Sequence, residues 1–317
     1  MGPGLAGYIV RRVLWAIPVL FLISIIVFTM LRLAPGSPVD AILGQRYTPE
    51  QAAVLEAKYG YDKPLPIQYI KYMENLSRGD LGVSTRHRDF TAGEVIWPKV
   101  WVSAQIGFIA LFIVFSVGMP VGIYAAMARG TFIDPLTISF WLAIEAVPVF
   151  VLATFATWLF ALKLDLVDLS YEGVWSPNMI VPVLVMALPG VAGVARFMRA
   201  SVISVLGEDY IRTAKAKGLK SQTVVITHIT RNALLPMVTV IGLSLPGIAA
   251  GSLFIELSFG IPGIARESLD AVLAPDFDVV LALVLLSSTL FILANVAIDI
   301  AYGFIDPRVR VGASRGE

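Results

Sequence analysis

The chain has 317 residues, of which 57% are hydrophobic and only 15% charged, and its mean hydropathy is +0.80. A soluble domain carries about 25% charged residues, so this composition excludes an ordinary soluble protein and indicates an integral membrane protein. The formal net charge of +1 gives no electrostatic basis for binding nucleic acid, and the absence of cysteine excludes disulfides and thiolate chemistry. His87 and His228 are the only imidazoles and are far apart in sequence, which argues against a histidine-based metal site.

Six segments are long and apolar enough to cross a bilayer as helices, since a span needs about 20 mostly apolar residues. Lipid offers no partner for a free backbone N–H or C=O, which excludes an open sheet, and no series of alternating strands indicates a barrel. The sequence therefore predicts an all-α polytopic protein with six transmembrane helices. The predicted spans are 10–33, 100–128, 133–162, 179–205, 224–255 and 279–305.

The distribution of Lys and Arg in the short loops predicts the orientation of these spans. If the N-terminus is cytoplasmic, then Arg11, Arg12, Arg129 and the basic cluster at 212–220 all fall inside. Both termini are then expected in the cytoplasm. The first apolar run is too long for a signal peptide, so it is expected to be retained as the first span.

Four regions follow from these spans. We expect a tail and first helix at 1–34, an extracytoplasmic segment at 35–98, a five-helix core at 99–310 containing a polar loop at 207–223, and a tail at 311–317.

The predicted extracytoplasmic segment contains two short helix patterns. Thr48 is a predicted N-cap for a helix through Lys58, and a second helix is expected over 67–76, after Pro64 and Pro66. A segment this small cannot bury much apolar surface alone, so we expect it to pack on the span ends.

A polar island interrupts the apolar sequence between the fourth and fifth predicted spans. Residues 208–219 read EDYIRTAKAKGL, which is more polar than a loop that merely reverses the chain requires. The pattern predicts a short helix over 210–217 at the membrane surface, with Ile211, Ala214 and Gly218 on one face. Small residues there would let a partner's backbone approach. A second interpretation stays open, in which the charges only fix the membrane topology.

The order of residues in the island resembles the EAA loop of ATP-binding cassette (ABC) importer permeases. The chain is similar to the dipeptide, oligopeptide and nickel branch of that family over nearly its whole length, and its long segment after the first span resembles the first of the two permease types. The motifs that carry the resemblance are Tyr8-Ile9-Val10-Arg11-Arg12, Ile17-Pro18, Leu33-Ala34-Pro35-Gly36-Ser37-Pro38, Gly79-Asp80-Leu81-Gly82-Val83-Ser84, the island itself, His228, Arg231-Asn232-Ala233-Leu234-Leu235-Pro236, Phe259-Gly260-Ile261-Pro262-Gly263, Asp276 and Asp306-Pro307-Arg308.

In permeases of this kind the EAA helix is the coupling helix, held in a cleft of a cytoplasmic ATPase subunit. The resemblance implies that closure of two ATPase subunits moves this helix and reorients the spans, with Ala214 and Gly218 in the contact. The residues that the resemblance assigns to ATPase coupling are Glu208, Asp209, Tyr210, Arg212, Thr213, Ala214, Lys215, Ala216, Gly218 and Leu219.

The resemblance also implies the partners and the cargo. It points to a second homologous permease, two ATP-binding cassette ATPase subunits and an extracytoplasmic substrate-binding protein, assembled in the lipid bilayer of a prokaryotic inner membrane. Import of short peptides is expected, and nickel chelates or oligosaccharides are alternatives because similar permeases carry them.

The sequence contains no phosphate-binding loop of the form G-x-x-x-x-G-K-[ST]. ATP and Mg²⁺ are therefore expected on the partner ATPase subunits. We expect no catalytic residue, cofactor or metal site in this chain.

Glu145 is the strongest local anomaly because it lies about twelve residues into the third predicted span. A carboxylate there costs several kcal/mol unless it is paired, protonated or hydrated. One hypothesis is that Glu145 lines the pathway and meets a cationic group of the cargo; the other is that it is satisfied within the bundle. Arg196, Arg199 and Arg231 are expected to reach toward lipid phosphates, with Asp299 as a possible partner for one of them.

Two functions of other classes remain as alternatives. An ion-coupled secondary transporter would use Glu145 as its protonatable group and would transport without partners. An intramembrane hydrolase would need a titratable companion for Glu145, and the sequence pattern identifies none.

Overall fold

The computed structural model describes residues 5–33, 39, 43, 47–87 and 89–305. Within those residues the only β pairing is an isolated bridge between Val83 and Thr91, so the predicted all-α class is confirmed. The helices are α1 (Leu5–Leu33), α2 (Pro49–Tyr59), α3 (Leu65–Ser77), α4 (Ala92–Met127), α5 (Ile133–Glu145), α6 (Val149–Lys163), α7 (Ile180–Leu206), α8 (Asp209–Ala216), α9 (Ser221–Ala233), α10 (Leu235–Ala250), α11 (Leu253–Ser258), α12 (Ile264–Leu273) and α13 (Phe277–Ile305).

Four of these helices, α1, α4, α7 and α13, are each long and apolar enough to cross a membrane. The third and fifth predicted spans are instead bent pairs. Helices α5 and α6 meet at 86°, and α9 and α10 meet at 46°. Six spans result if each bent pair is one span, and that number stays a prediction.

Two short π-helical segments interrupt the regular helices of these bent pairs. They comprise Thr157–Lys163 at the end of α6 and Val224–Thr230 within α9.

The chain divides into two compact units. The first contains the described residues of 1–101 and 263–317, and the second contains residues 102–262. Helix α4 contributes its first turns to the first unit and its remaining turns to the second.

Helices α1 and α13 run antiparallel in the first unit. Arg32, at the end of α1, lies beside Asp278 at the start of α13. Phe28, one turn back along α1, shares a buried cluster with Leu285, two turns further along α13. Tyr72 of α3 belongs to the same cluster. The segment after α1 thus packs on the ends of two spans, as the sequence predicts.

The predicted helix signals of this segment are also confirmed. The hydroxyl of Thr48 accepts from the backbone N–H of Gln51 at 3.4 Å, and the backbone N–H of Thr48 donates to Oε1 of Gln51 at 3.0 Å. This capping box begins α2. Pro66 lies in the first turn of α3, where a helix needs no N–H donor.

The core of the second unit is a continuous apolar cluster built from several helices. Met198 of α7, Ile211 of α8 and Ile229 of α9 all belong to it and are at most 1% exposed. The cluster joins the polar island to the spans on either side of it.

Two glycines let α4 approach α7 closely. A Cβ atom on Gly122 would overlap the carbonyl oxygen of Ala195 and would lie 2.8 Å from Cβ of Met198. A Cβ atom on Gly118 would lie 2.8 Å from the side chain of Val194. Small residues at such contacts are typical of helix packing in membranes, because they allow dispersion contacts between backbones.

Several motifs singled out above lie outside the described residues. They are residues 34–38 and 306–317, and the side chains of Tyr8, Ile9, Arg12 and Asp299.

The contact at Gly122 makes a prediction about stability. Gly122→Ala is expected to destabilise the protein by about 1–3 kcal/mol because the methyl group has no space. Gly247 is the matched control, since it lies inside α10 with no atom within 4 Å of a built Cβ. Gly247→Ala should be neutral, or stabilising by about 0.5–1 kcal/mol. Melting temperatures of the detergent-solubilised protein measure both, and equal shifts would contradict the close contact.

Candidate functional site

Helix α8 forms because its local signals agree with its position between two spans. Glu208 precedes it in extended backbone, and Asp209 lies in its first turn, where a negative charge is favoured by the helix dipole. Lys215 lies in the last turn, where a positive charge is favoured. Gly218 ends it at φ +73°, a conformation that favours glycine. The predicted helix and its stop are confirmed.

One face of α8 is buried within the chain itself. Ile211 is 1% exposed and Ala214 is 6% exposed, and both belong to the core cluster of the second unit with Val224 and Ile229 of α9. Helix α8 packs on the π-helical segment of α9. The expectation that Ala214 meets a partner is therefore wrong, because its small side chain faces the chain's own core.

The opposite face of α8 is exposed and strongly polar. The exposed fractions of Tyr210 and Leu219 are both 42%. Along the chain, acidic residues lie at the N-terminal end of this surface and basic residues lie toward its C-terminal end. The exposed members of the predicted contact set are Glu208, Asp209, Tyr210, Arg212, Thr213, Lys215, Ala216, Gly218 and Leu219, with Lys217 and Lys220 beside them.

Helices α7 and α9, which flank α8 in the chain, are joined to each other by a hydrogen bond in the second unit. Helix α8 follows α7 after one turn of chain, and Ser201 of α7 donates to the carbonyl oxygen of Ala233 at the end of α9, at 2.8 Å. Within α9 the amide of Asn232 donates to the carbonyl oxygen of His228 at 2.6 Å. Since α8 packs on the π-helical segment of α9, it is connected through α9 to α7 as well.

An ion pair that the sequence reasoning missed joins α5 to α7. Arg199 donates to both carboxylate oxygens of Asp134, at 2.5 and 2.6 Å. Asp134 is only 5% exposed. A bidentate guanidinium–carboxylate pair is the strongest type of side-chain hydrogen bonding, and removing one partner of a buried pair costs about 3–5 kcal/mol.

Glu145 has a partner within the chain, which is Arg196 of α7. Nη2 of Arg196 donates to Oε1 of Glu145 at 3.1 Å, and Nη1 lies 3.0 Å from Oε2 without an aligned hydrogen bond. The side chains are 53% and 32% exposed for Arg196 and Glu145 respectively. Glu145 is the last residue of α5, where the helix dipole disfavours a negative charge, so the guanidinium compensates for both the dipole and the apolar surroundings.

These two pairs correct the expectations for the arginines of α7. Arg196 and Arg199 bind carboxylates of α5, so the prediction that they reach only toward lipid phosphates is wrong. The statement that Glu145 lacks a titratable companion is also wrong. The available sequence signal was the presence of two arginines one turn apart in an otherwise apolar span.

Further buried acids were not predicted as paired groups. In the second unit Glu256 is 3% exposed and accepts from the hydroxyl of Ser103 at 2.8 Å. In the first unit Glu267 is buried and pairs with Lys99 and with His87. Asp276 in that unit is buried too, and its carboxylate accepts from the hydroxyl of Ser84. Each acid has a side-chain partner distant in sequence, so no local pattern could reveal that pairing.

Two family models match the sequence. The model described as "Binding-protein-dependent transport system inner membrane component" matches residues 118–311. The model described as "Binding-prot-dependent transport system membrane comp, N-term" matches residues 5–94.

Characterised relatives match almost the full chain. The chain is 38% identical over 304 residues to the oligopeptide transport system permease protein OppB of Haemophilus influenzae, covering 96% of this chain and 99% of that protein. It is 37% identical over 305 residues to OppB of Salmonella typhimurium, with the same two coverages. It is 34% identical over 334 residues to the dipeptide transport system permease protein DppB of Escherichia coli, covering 96% of this chain and 98% of that protein.

A solved structure shares the fold. The methionine ABC transporter MetNI, in its inward-facing conformations, matches with a TM-score of 0.56 at 15% identity, over 67% of this chain and 97% of that chain. At this identity the likeness concerns the fold alone. The family models and the relatives together show that this chain belongs to the binding-protein-dependent transport system inner membrane components, the permease subunits of ABC importers.

Proposed function

We propose that the chain forms half of the translocation pathway for short peptides and that α8 is its coupling helix. The observation that carries the coupling role is the two-sided character of α8. One face is buried against α9, and the other presents an exposed polar surface. A helix that only reversed the chain would need no such surface.

The polar face of α8 fits a cleft in a partner whose surface is acidic beside the C-terminal end of the helix. Arg212, Lys215, Lys217 and Lys220 are all exposed toward that end. The pair between Arg212 and Asp209 is at the surface and stabilises the helix little, so Arg212 remains available to a partner. Residues such as Tyr210 and Leu219 supply apolar contact area beside these charges.

The proposed assembly contains a second homologous permease, two ATPase subunits and an extracytoplasmic substrate-binding protein. ATP and Mg²⁺ bind on the ATPase subunits, which supply the free energy, and this chain catalyses no covalent step. An effector shifts a conformational equilibrium only through differential contacts with its two states. In this proposal ATP-driven closure changes the contacts of α8, and the anchored α7 and α9 reorient with it.

Both termini and α8 lie in the cytoplasm in this proposal. The positive-inside rule supports this orientation, because Arg129 and the basic residues of 212–220 then share one side of the membrane.

Peptide cargo is supported by the names of the relatives, which transport oligopeptides and dipeptides. Peptides carry an ammonium and a carboxylate at their ends. The pair of Glu145 and Arg196 is half-exposed within the chain, and exposing it to lipid would be costly. We infer that it faces the pathway, where each side chain can exchange its partner for a charge of the cargo.

A further prediction concerns α8. Tyr210→Ala is expected to reduce co-purification of the ATPase subunits and peptide-stimulated ATP hydrolysis, because it removes exposed contact area. The melting temperature of the permease should stay unchanged. Tyr124→Ala is the matched control, since Tyr124 is 58% exposed on α4. If Tyr210→Ala and Arg212→Glu both kept full co-purification of the ATPase subunits and full peptide-stimulated ATP hydrolysis, this face would be excluded as the docking surface.

Another prediction separates the two ion pairs. Asp134→Asn is expected to lower stability by at most about 3–5 kcal/mol, because it leaves the partly buried guanidinium of Arg199 without its carboxylate. Glu145→Gln should lower stability less, because its pair is more exposed. Glu145→Gln should nevertheless reduce uptake of cationic peptides more than of neutral ones. Melting temperatures and uptake into proteoliposomes measure the two effects, and equal effects on both peptide classes would remove Glu145 from the pathway.

The decisive test of the proposed function is reconstitution. The complete complex in proteoliposomes should take up labelled dipeptides and oligopeptides only with ATP and the binding protein present. Uptake by this chain alone, abolished by an uncoupler, would instead identify an ion-coupled secondary transporter. ATP-dependent uptake of nickel chelates or oligosaccharides but not of peptides would keep the machinery and change the cargo.

A further inference from the structure

A cavity of about 200 Å³ lies within the first unit, where the end of α1 meets the start of α13 and where α2 and α3 pack on them. Arg32 and Asp278 come from the two spans, and Gln68 and Tyr72 come from α3. None of these residues belongs to α8 or to the pair of Glu145 and Arg196, on which the proposed function depends.

Three residues that line this cavity each carry a buried polar atom without a hydrogen-bond partner. The atoms are Nη1 of Arg32, the hydroxyl of Tyr72 and Oε1 of Gln68. They are three of the four such atoms in the part of the chain that the structure describes. Tyr72 is only 9% exposed, and the side chain of Arg32 is 11% exposed. Burying polar groups without partners is costly, and the residues around this one cavity carry three such groups, which favours a polar ligand there.

The hydrogen-bonding roles of these atoms are fixed by their surroundings. The amide nitrogen of Gln68 donates to the carbonyl oxygens of Tyr61 and Lys63, at 3.1 and 2.7 Å. Its Oε1 can therefore only accept, and it requires a donor. Burial raises the pKa of Tyr72 above its usual range, so its phenol stays protonated and can donate. The cavity thus offers donors and an acceptor together.

The charges of the cavity are also of both signs. The guanidinium of Arg32 lies 4.4 Å from the ring centre of Tyr61, and one of its nitrogens lies 3.9 Å from the carboxylate of Asp278. Lys71 adds a positive charge to the lining and Asp80 a negative one. A simple anion would be repelled by the acids, and a simple cation would be repelled by Arg32. A group that carries an anion beside an ammonium matches both.

The position of the cavity relates it to lipid. The apolar span of α1 ends at Leu33 and that of α13 begins at Phe277, so the cavity lies where two adjacent spans leave the apolar region. Phospholipid head groups occupy this depth. Tyr59 and Tyr61 line the cavity, and tyrosine is enriched at membrane interfaces.

We propose that this cavity binds a small zwitterionic group in which an anionic group lies beside an N–H-bearing ammonium, as in the head group of phosphatidylethanolamine. The anionic group is held by Arg32 and the hydroxyl of Tyr72, and the ammonium by Oε1 of Gln68 and by Asp278. A free amino acid has the same chemistry, and the test separates the two sources.

The test uses the complete complex, delipidated in detergent, and follows the melting temperature of the permease during lipid titration. Phosphatidylethanolamine is expected to raise it by about 2–4 °C, because a ligand that binds only the folded state stabilises it. Phosphatidylcholine, whose ammonium has no N–H, and phosphatidylglycerol, which has no ammonium, should act more weakly. Glycine and glycerophosphoethanolamine form a separate arm. Stabilisation by either of them without an effect of the lipid supports the site with a soluble ligand.

Tyr72→Phe distinguishes a bound ligand from an empty cavity. It should weaken ligand binding if the site is occupied, and raise the melting temperature without any ligand effect if the cavity is empty. If the site binds the zwitterion, loss of the hydroxyl should weaken the titration about tenfold, which is the effect of one charge-assisted hydrogen bond. Tyr124→Phe, at an exposed tyrosine of α4, should leave the titration unchanged.

Three results would overturn the proposal. The first is an equal response to all the lipids and soluble compounds. The second is a phosphatidylethanolamine effect that Tyr72→Phe does not alter. The third is an increase in melting temperature in Tyr72→Phe without any ligand effect, which would identify an empty or merely hydrated cavity.

Discussion

The inability of a bilayer to solvate charge is the constraint on which the arrangement of the second unit depends. An ionised side chain in apolar surroundings costs several kcal/mol unless an opposite charge lies beside it. Helix α5 carries Asp134 and Glu145, and α7 carries Arg196 and Arg199. The two acids are separated by about 16 Å of helix, whereas the two arginines are one turn apart. The long guanidinium side chains of α7 make up for this difference in spacing, so that both ends of α5 are held to one stretch of α7.

The two pairs differ in how readily they can exchange partners. The pair of Asp134 and Arg199 is short, bidentate and buried on the acid side, so opening it leaves an uncompensated charge. The pair of Glu145 and Arg196 is more exposed and is immediately followed by the 86° break between α5 and α6. Water or cargo can replace one of its partners at a lower cost. The first pair therefore fixes α5, and the second is the one suited to the exchange of partners that we propose for the pathway.

Local chemistry made part of this structure predictable from the sequence. The capping box at Thr48 and the left-handed stop at Gly218 depend on residues within a few positions of one another, so the sequence predicts them correctly. The long apolar helices follow from composition. The break after Glu145 was not predicted, although Pro148 lies beside it. Proline within a span can be accommodated as a kink, so its presence does not set the angle.

The candidate site was predictable only where a pattern was local. The position of α8 follows from its polarity, but the orientation of Ala214 does not. A small residue on a helix face fits close approach to a partner and close approach to the same chain equally well. Pairings such as Glu145 with Arg196 join residues 51 positions apart. Charge types alone do not decide between such partners, because that choice depends on how the helices pack.

The inward orientation of Ala214 supports the mechanical role proposed for α8. A coupling element transmits force only if it moves with the elements it is meant to turn. Ile211 and Ala214 place α8 in the same apolar cluster as Met198 of α7 and Ile229 of α9. Close packing resists compression, so a displacement applied to the exposed face is passed to both neighbours rather than absorbed within the contact. In the proposed mechanism the small residue lies on the side that transmits the motion, and the polar side is left to recognise the partner.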